Sequence, residues 1–180
     1  MKPRLVCLDR DGVLNENRDD YVKSIAELVL LPRAGEAVAR LNRAGYPVVV
    51  VTNQSAVGRG ILKAETLEAI HAELRRRLAE SGAHLDAIYC CPHRPDEGCS
   101  CRKPRPALLL QAARDFGVHP AEMVFIGDAR SDVEAGRAAG SRTVLVRTGK
   151  SAEADPSTWP TQPDAIVEDL SAAVDWILGR

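Results

Sequence analysis

Short runs of uninterrupted apolar residues alternate along this chain with stretches in which apolar residues recur every three or four positions. Residues 4–8 (RLVCL) form the first run, which stops at Asp9. Ala34, Ala37, Val38 and Leu41 then recur at helical spacing up to Gly45, a good helix stop. Residues 47–52 (PVVVVT) are β-branched and apolar on both faces, as a central parallel strand requires. Leu67, Ile70, Leu74 and Leu78 line a second helix ending near Gly82, and residues 85–90 (LDAIYC) read as a third strand. Leu109, Ala112, Ala113 and Phe116 form a third helical stripe, followed by a fourth strand at 123–128 (MVFIGD). Ser131 and Glu134 have the spacing of a capping box for the next helix. A fifth strand is expected at 143–149, then loop over 151–163, a short AIV run and a last helix from about Asp169. Strand and helix alternating five times, without repeat or linker, predict one α/β domain over residues 1–180: a doubly wound parallel sheet flanked by helices.

In such sheets the ligand lies beyond the carboxyl ends of the strands. The strand ends carry DRDG, TNQS, RKP and GDARSD, which place Asp9, Asp11, Thr52, Asn53, Arg102, Lys103, Asp128 and Asp132 along one rim. Three carboxylates converging there repel unless a cation sits between them, and oxygen-only ligands suit Mg²⁺ carrying a substrate phosphate. A lysine and a threonine beside the ion complete a phosphoryl site. Asp9 and Asp11 lie two apart at a strand end, so both can face the same side. One can then attack phosphorus while the other protonates the leaving oxygen and later activates water. DRDG is not a calcium loop, because Gly12 comes fourth where that loop needs it sixth. VGRG (57–60) lacks the Lys-Ser/Thr of a phosphate loop and reads either as a substrate-facing loop or as a plain turn. His71, His84 and His119 have no metal-like spacing and read as surface or core residues.

Composition narrows the classes further. The 180 residues are 45% hydrophobic and 27% charged, which is globular, and the net charge of −1 provides no field for nucleic acid or anionic lipid. With aromatics at 4%, base-stacking platforms are not expected either. No apolar run reaches bilayer length and acidic residues come too early for a signal peptide, so the expected location is cytoplasmic. In that reducing compartment clustered cysteines point to metal rather than disulfides. Four of the five cysteines fall within residues 90–101, and no Cys-x-x-Cys redox spacing occurs. Cys91, His93, Cys99 and Cys101 supply the three thiolates and one imidazole of a structural zinc site, in a loop over about 91–101. The competing reading, buried free cysteines plus two on a loop, leaves that loop with nothing to order it. Cys7 and Cys90 belong to strands and read as core.

Taken in order, DRDGVLN, TNQS, RKP and GDARSD resemble the four motifs of the haloacid dehalogenase (HAD) superfamily across nearly the whole chain. DRDG with CPH and CSCRKP is similar to that superfamily's small zinc-loop phosphatases. The resemblance implies a capless HAD-like fold with Asp9 as nucleophile, Asp11 as acid/base, and Thr52 and Lys103 as phosphoryl stabilisers. It implies Mg²⁺ on Asp9, Asp128 and the main-chain carbonyl of Asp11, with Asp132 supporting the site from behind. Without a cap, segments 15–22 and 54–61 and the zinc loop are expected to wall the substrate. Asn53, Gln54, Ser55, Arg59 and Arg102 are the expected binding residues. The implied substrate is a small phosphorylated sugar, a heptose 1,7-bisphosphate losing its 7-phosphate for lipopolysaccharide core precursor synthesis. The alternatives are histidinol phosphate and, in a different class, a non-enzymatic receiver-like phospho-acceptor. Asp11 argues against the receiver, which has no acid/base two residues beyond its acceptor. A monomer is expected.

Overall fold

The structure is a computed structural model that describes residues 3–179. Six parallel strands form one sheet: β1 (Leu5–Leu8), β2 (Val48–Asn53), β3 (Ala87–Cys91), β4 (Met123–Gly127), β5 (Arg142–Val146) and β6 (Ala165–Val167). Their order is β3-β2-β1-β4-β5-β6, so the winding reverses between β1 and β4. The AIV run is thus a sixth strand. It pairs with β5 through Val144↔Ala165 and Val146↔Val167 and extends the expected five-stranded sheet at its edge.

Alternate side chains of each strand feed two separate cores, because successive Cβ atoms point to opposite faces. Val6, Leu8, Val48, Val50, Val124 and Ile126 pack on one face against α1 (Ala34–Arg43), α3 (Ala64–Ala79) and α6 (Leu170–Leu178). Leu5, Cys7, Val49, Val51, Met123 and Phe125 pack on the other against α4 (Ala107–Asp115) and α5 (Arg130–Ala139). Each β1 and β4 side chain is buried, which explains runs without polar interruption. Fully burying a Val, Leu or Phe is worth about 1.5–3 kcal/mol, so this double core outweighs the weak helix propensities around it.

Helix α5 corrects one expectation. Its N-cap is Ala129, and Asp132, not Ser131 or Glu134, satisfies the helix start. Asp132 Oδ2 accepts from the main-chain N–H groups of Asp128 and Ala129, each at 3.1 Å. Glu134 instead pairs with Arg130 on the exposed side. The expected 151–163 loop contains one short 3₁₀ turn, Pro156–Thr158, capped by the Asp155 carboxylate. Among the described residues no helix is long and apolar enough to cross a membrane.

Candidate active site

The reversal between β1 and β4 opens a crevice at their carboxyl ends, and the charged cluster sits there. Pairing of Leu8 with Ile126 brings Asp9 and Asp128, the residues that follow the two strands, side by side. Lys103, 3% exposed, threads in from the far side of β2. Its Nζ lies 3.0 Å from Asp9 Oδ1 and 2.7 Å from Asp132 Oδ1, and donates to the Val51 carbonyl at 2.9 Å. Burial works against the ammonium, but Asp132 and Asp9 outweigh it and raise its pKa above the lysine range. Asp9 Oδ1 also accepts from the Arg10 amide at 2.7 Å, so Oδ2 is the oxygen left for chemistry.

Asp9, Asp128 and Asp132 offer oxygens within 4.8 Å of one another. Burial, then the charges of Asp132 and Asp9, push Asp128 up to about 8. Burial likewise lifts Asp9 to about 6, against the pull of Lys103. Acids this crowded retain protons that a divalent cation would displace, and an all-oxygen donor set fits Mg²⁺. Asp132 already spends its oxygens on Lys103 and two amides, which leaves Asp9 and Asp128 as the side chains available to an ion.

Asp11 faces the same cavity but has its own cradle. Its Oδ1 accepts from Arg10 Nη2 at 2.9 Å, Arg10 Nε at 3.2 Å and Asn15 Nδ2 at 2.8 Å. Its Oδ2 accepts from Gln54 Nε2 at 2.7 Å. Burial pushes this carboxyl up, yet Arg10 and the hydrogen bonds together hold it below the usual range. The same Gln54 amide donates to Thr52 Oγ1 at 3.0 Å, and Thr52 is 1% exposed, behind the cavity wall. Asn53 grips the Lys103 main chain at both ends, Oδ1 accepting from its N–H and Nδ2 donating to its carbonyl. Gln54 and Asn53, expected to bind substrate, therefore spend their amides on orienting Asp11 and Lys103.

The cavity, about 470 Å³, is lined by Asp9, Asp11, Asp128 and Asp132, by residues 17–19 with Tyr21 and Val22, and by Asn53, Gln54, Ser55, Arg102 and Lys103. Arg59 is exposed and does not line this cavity. The turn that carries it, α2 (Ser55–Gly58), packs on the cysteine loop instead, where the Gly58 N–H donates to the Pro92 carbonyl at 2.9 Å. Lys150 also lines the cavity and was not expected. It follows β5 on a loop tied to the ion site: its N–H donates to Asp128 Oδ2 at 2.6 Å, and Thr148 Oγ1 donates to the Gly12 carbonyl at 2.7 Å. Gly149 is required there, because a Cβ would stand 2.0 Å from Asp128 Oδ2. The strand-end rule applied to β5 is the signal that finds this loop.

At the end of β3 the four expected zinc ligands converge. Cys91 Sγ lies 3.6 Å from His93 Nδ1, 3.6 Å from Cys99 Sγ and 3.0 Å from Cys101 Sγ, and His93 Nδ1 lies 3.2 Å from Cys101 Sγ. These separations exceed a disulfide bond of about 2.05 Å, and all five cysteines are free. They approach the ~3.8 Å edge of a tetrahedron with metal–sulfur bonds of ~2.3 Å. Gly98, at φ +68°, turns the chain back between the ligand pairs, a conformation other residues rarely adopt. The loop returns through Arg102, whose Nη1 donates to the His93 carbonyl at 3.4 Å, directly into Lys103.

Known proteins resemble this chain in sequence and fold. The HAD-hydrolase-like family model matches residues 100–173. The D-glycero-beta-D-manno-heptose-1,7-bisphosphate 7-phosphatase of Pseudomonas aeruginosa is 43% identical over 99% of both chains. The crystal structure of D,D-heptose 1,7-bisphosphate phosphatase from Bordetella bronchiseptica, complexed with magnesium and phosphate, is 41% identical. It covers 99% of both chains with a TM-score of 0.92. The corresponding Burkholderia thailandensis enzyme is 36% identical, covers 98% of this chain and 99% of its own, and has a TM-score of 0.75. With a HAD-like core, a Cys/His loop beside the lysine and this likeness over nearly the full length, the chain belongs to the D-glycero-D-manno-heptose-1,7-bisphosphate 7-phosphatase family of HAD-like hydrolases.

Proposed function

We propose that this protein is a Mg²⁺-dependent phosphatase that removes the 7-phosphate of D-glycero-β-D-manno-heptose 1,7-bisphosphate, in supply of the heptose precursor of the lipopolysaccharide core. The observation that carries the reading is the pair at the end of β1. Asp9 presents a free Oδ2 beside Lys103, and Asp11, two residues on, faces the same cavity from a separate cradle. The β anomer follows the relatives from Pseudomonas aeruginosa and Pseudomonas putida, whose names specify it.

Asp9 and Asp128, with the Asp11 main-chain carbonyl, would hold Mg²⁺, which supplies charge neutralisation for the phosphoryl oxygens. Asp9 Oδ2 attacks phosphorus in line with the C7 oxygen and the P–O7 bond breaks. Asp11 is ionised before substrate enters, so it must take up a proton as the negative charge of the phosphate arrives beside it; it gives that proton to the departing alkoxide, and then takes one from the water that hydrolyses the aspartyl phosphate. Lys103 balances the equatorial oxygens, and Thr52 adds a hydroxyl behind them. Asp132 keeps Lys103 charged and in place. Zn²⁺ on Cys91, His93, Cys99 and Cys101 would order a loop too short for a core of its own and hold Arg102 over the cavity.

Arg102 and Lys150 line the cavity without a carboxylate partner among the described residues, which suits a second phosphate. The same cations disfavour histidinol phosphate, whose ammonium would face them. Ser55, residues 17–19, Tyr21 and Val22 complete the wall of a single domain. Among the described residues only four large apolar side chains are exposed, none beyond 49%, which supports a monomer. A reduced thiol cluster supports a cytoplasmic location. Phosphate release measured on the heptose bisphosphate and on histidinol phosphate tests the substrate. A preference for histidinol phosphate would overturn the assignment, and Asp9→Asn with near-normal turnover would overturn the covalent route.

A further inference from the structure

Arg10 is the largest fully buried side chain among the described residues, and a guanidinium carries its charge inside only when every face of its fork is answered. Nε and Nη2 are answered by Asp11 at 2.9–3.2 Å. The remaining arm, Nη1, lies 3.3 Å from Nε2 of His71, a residue on the buried stripe of α3 with Leu67, Ile70, Leu74 and Leu78. Arginine has no acceptor, so Nε2 must offer its lone pair and the imidazole proton resides on Nδ1. We propose that His71 is a positioning residue for the leaving-group acid: by holding Nη1 it fixes the plane of the Arg10 fork, which fixes the orientation of the Asp11 carboxylate.

The geometry carries this because the fork is rigid. Three of its nitrogens lie in one plane, so anchoring Nη1 determines where Nε and Nη2 present their protons. Asp11 takes three contacts from that fork and one each from Asn15 and Gln54, so Arg10 contributes most of its cradle. Burial, then the charge of Arg10, lowers the His71 pKa to about 4, which keeps the imidazole neutral and able to accept. His71 itself does not line the catalytic cavity. Its effect must pass through Arg10.

The inference rests on Asp11 acting as the leaving-group acid, and the test separates the two. The specificity constant kcat/KM covers steps only up to leaving-group departure, so it reports protonation of that group. An alkyl leaving oxygen, as at C7 of the heptose, needs the proton, whereas p-nitrophenolate departs without it. His71→Leu, which keeps volume but offers no acceptor, should lose about ten- to a hundredfold in kcat/KM on the heptose bisphosphate. On p-nitrophenyl phosphate the loss should stay within about threefold, because nucleophile and lysine are untouched. His71→Gln, whose carboxamide oxygen can reach Nη1, should restore most of the difference. If His71→Leu does not fold, His71→Asn, too short to reach, takes its place in the comparison. Asp11→Asn must show the same leaving-group bias; equal losses there would remove the acid role and the inference with it. If Asp11→Asn shows the bias and the His71 variants do not, or if Gln fails to rescue, His71 only fills space and the positioning role is wrong.

Discussion

Replacing Asp132 with alanine probes the joint between the buried Lys103 and the fold. Both side chains of the Asp132–Lys103 pair are 2% exposed and their charges stand 2.7 Å apart, so solvent does little to screen them. Removing one partner of such a buried pair costs about 3–5 kcal/mol, because the other is left uncompensated. Here Lys103 keeps Asp9 and the Val51 carbonyl, which puts the ion-pair part near the lower end. The two amides at the start of α5 lose their shared acceptor, a cap worth about 1 kcal/mol. Against this, one of three crowded carboxylates disappears, an advantage that shrinks when Mg²⁺ screens the other two. The expected cost in excess Mg²⁺ is about 3–5 kcal/mol, or a Tm drop of roughly 6–20 °C for a chain of this length. Urea titration with an unchanged m-value measures it. A loss below about 1 kcal/mol would show that Asp9 and Val51 suffice to hold Lys103, and that Asp132 is not its anchor.

Other perturbations reach the neighbouring parts of the site. Asp9 at about 6 and Asp128 at about 8 are raised, so the metal-free fold holds extra protons that Mg²⁺ must expel. Mg²⁺ affinity should therefore weaken as pH falls through 8 and more steeply through 6, and metal-free stability should fall as pH rises across the same window. Calorimetry showing flat affinity and no proton release between those values would refute the crowding. Cys99→Ser should lower zinc content and kcat together while leaving every catalytic group in place; protein purified under reducing, chelator-free conditions without zinc would sink the metal reading. Gly149→Ala should weaken Mg²⁺ binding by displacing Asp128, whose Oδ2 a Cβ would meet at 2.0 Å, and an unchanged affinity would mean the loop can yield.

What the sequence made legible and what it hid divide along a physical line. The runs RLVCL and MVFIGD announced β1 and β4 because strands buried on both faces tolerate no polar residue, and the aspartates that stop them mark the site. The convergence of Cys91, His93, Cys99 and Cys101 was readable because their types and spacing are those of metal ligands. For Lys150 and Gly149 the strand-end rule reaches the loop after β5, but their close approach to Asp128, at the end of the neighbouring β4, appears only in the fold. Asn53 and Gln54 looked like substrate ligands by their place after β2, but only tertiary contact reveals that their amides face Lys103 and Asp11. Arg59 looked available for the same reason, but it is exposed and does not line the cavity. The start of α5 slipped because both Ser131 and Asp132 are good capping residues, and the buried lysine decides between them.

The pairing of β1 with β4 also sets a timetable. Asp9 is made early and Asp128 late, and at about 5–20 residues per second a separation of roughly 120 residues puts ~6–24 s of synthesis between them. A nascent chain that has reached only β3 already has Asp9 and the strand that leads into the Cys/His loop. During those seconds Asp9 lacks its carboxylate partner: the Cys/His loop is already synthesised, but the paired oxygens that suit Mg²⁺ do not exist until β4 slots in beside β1.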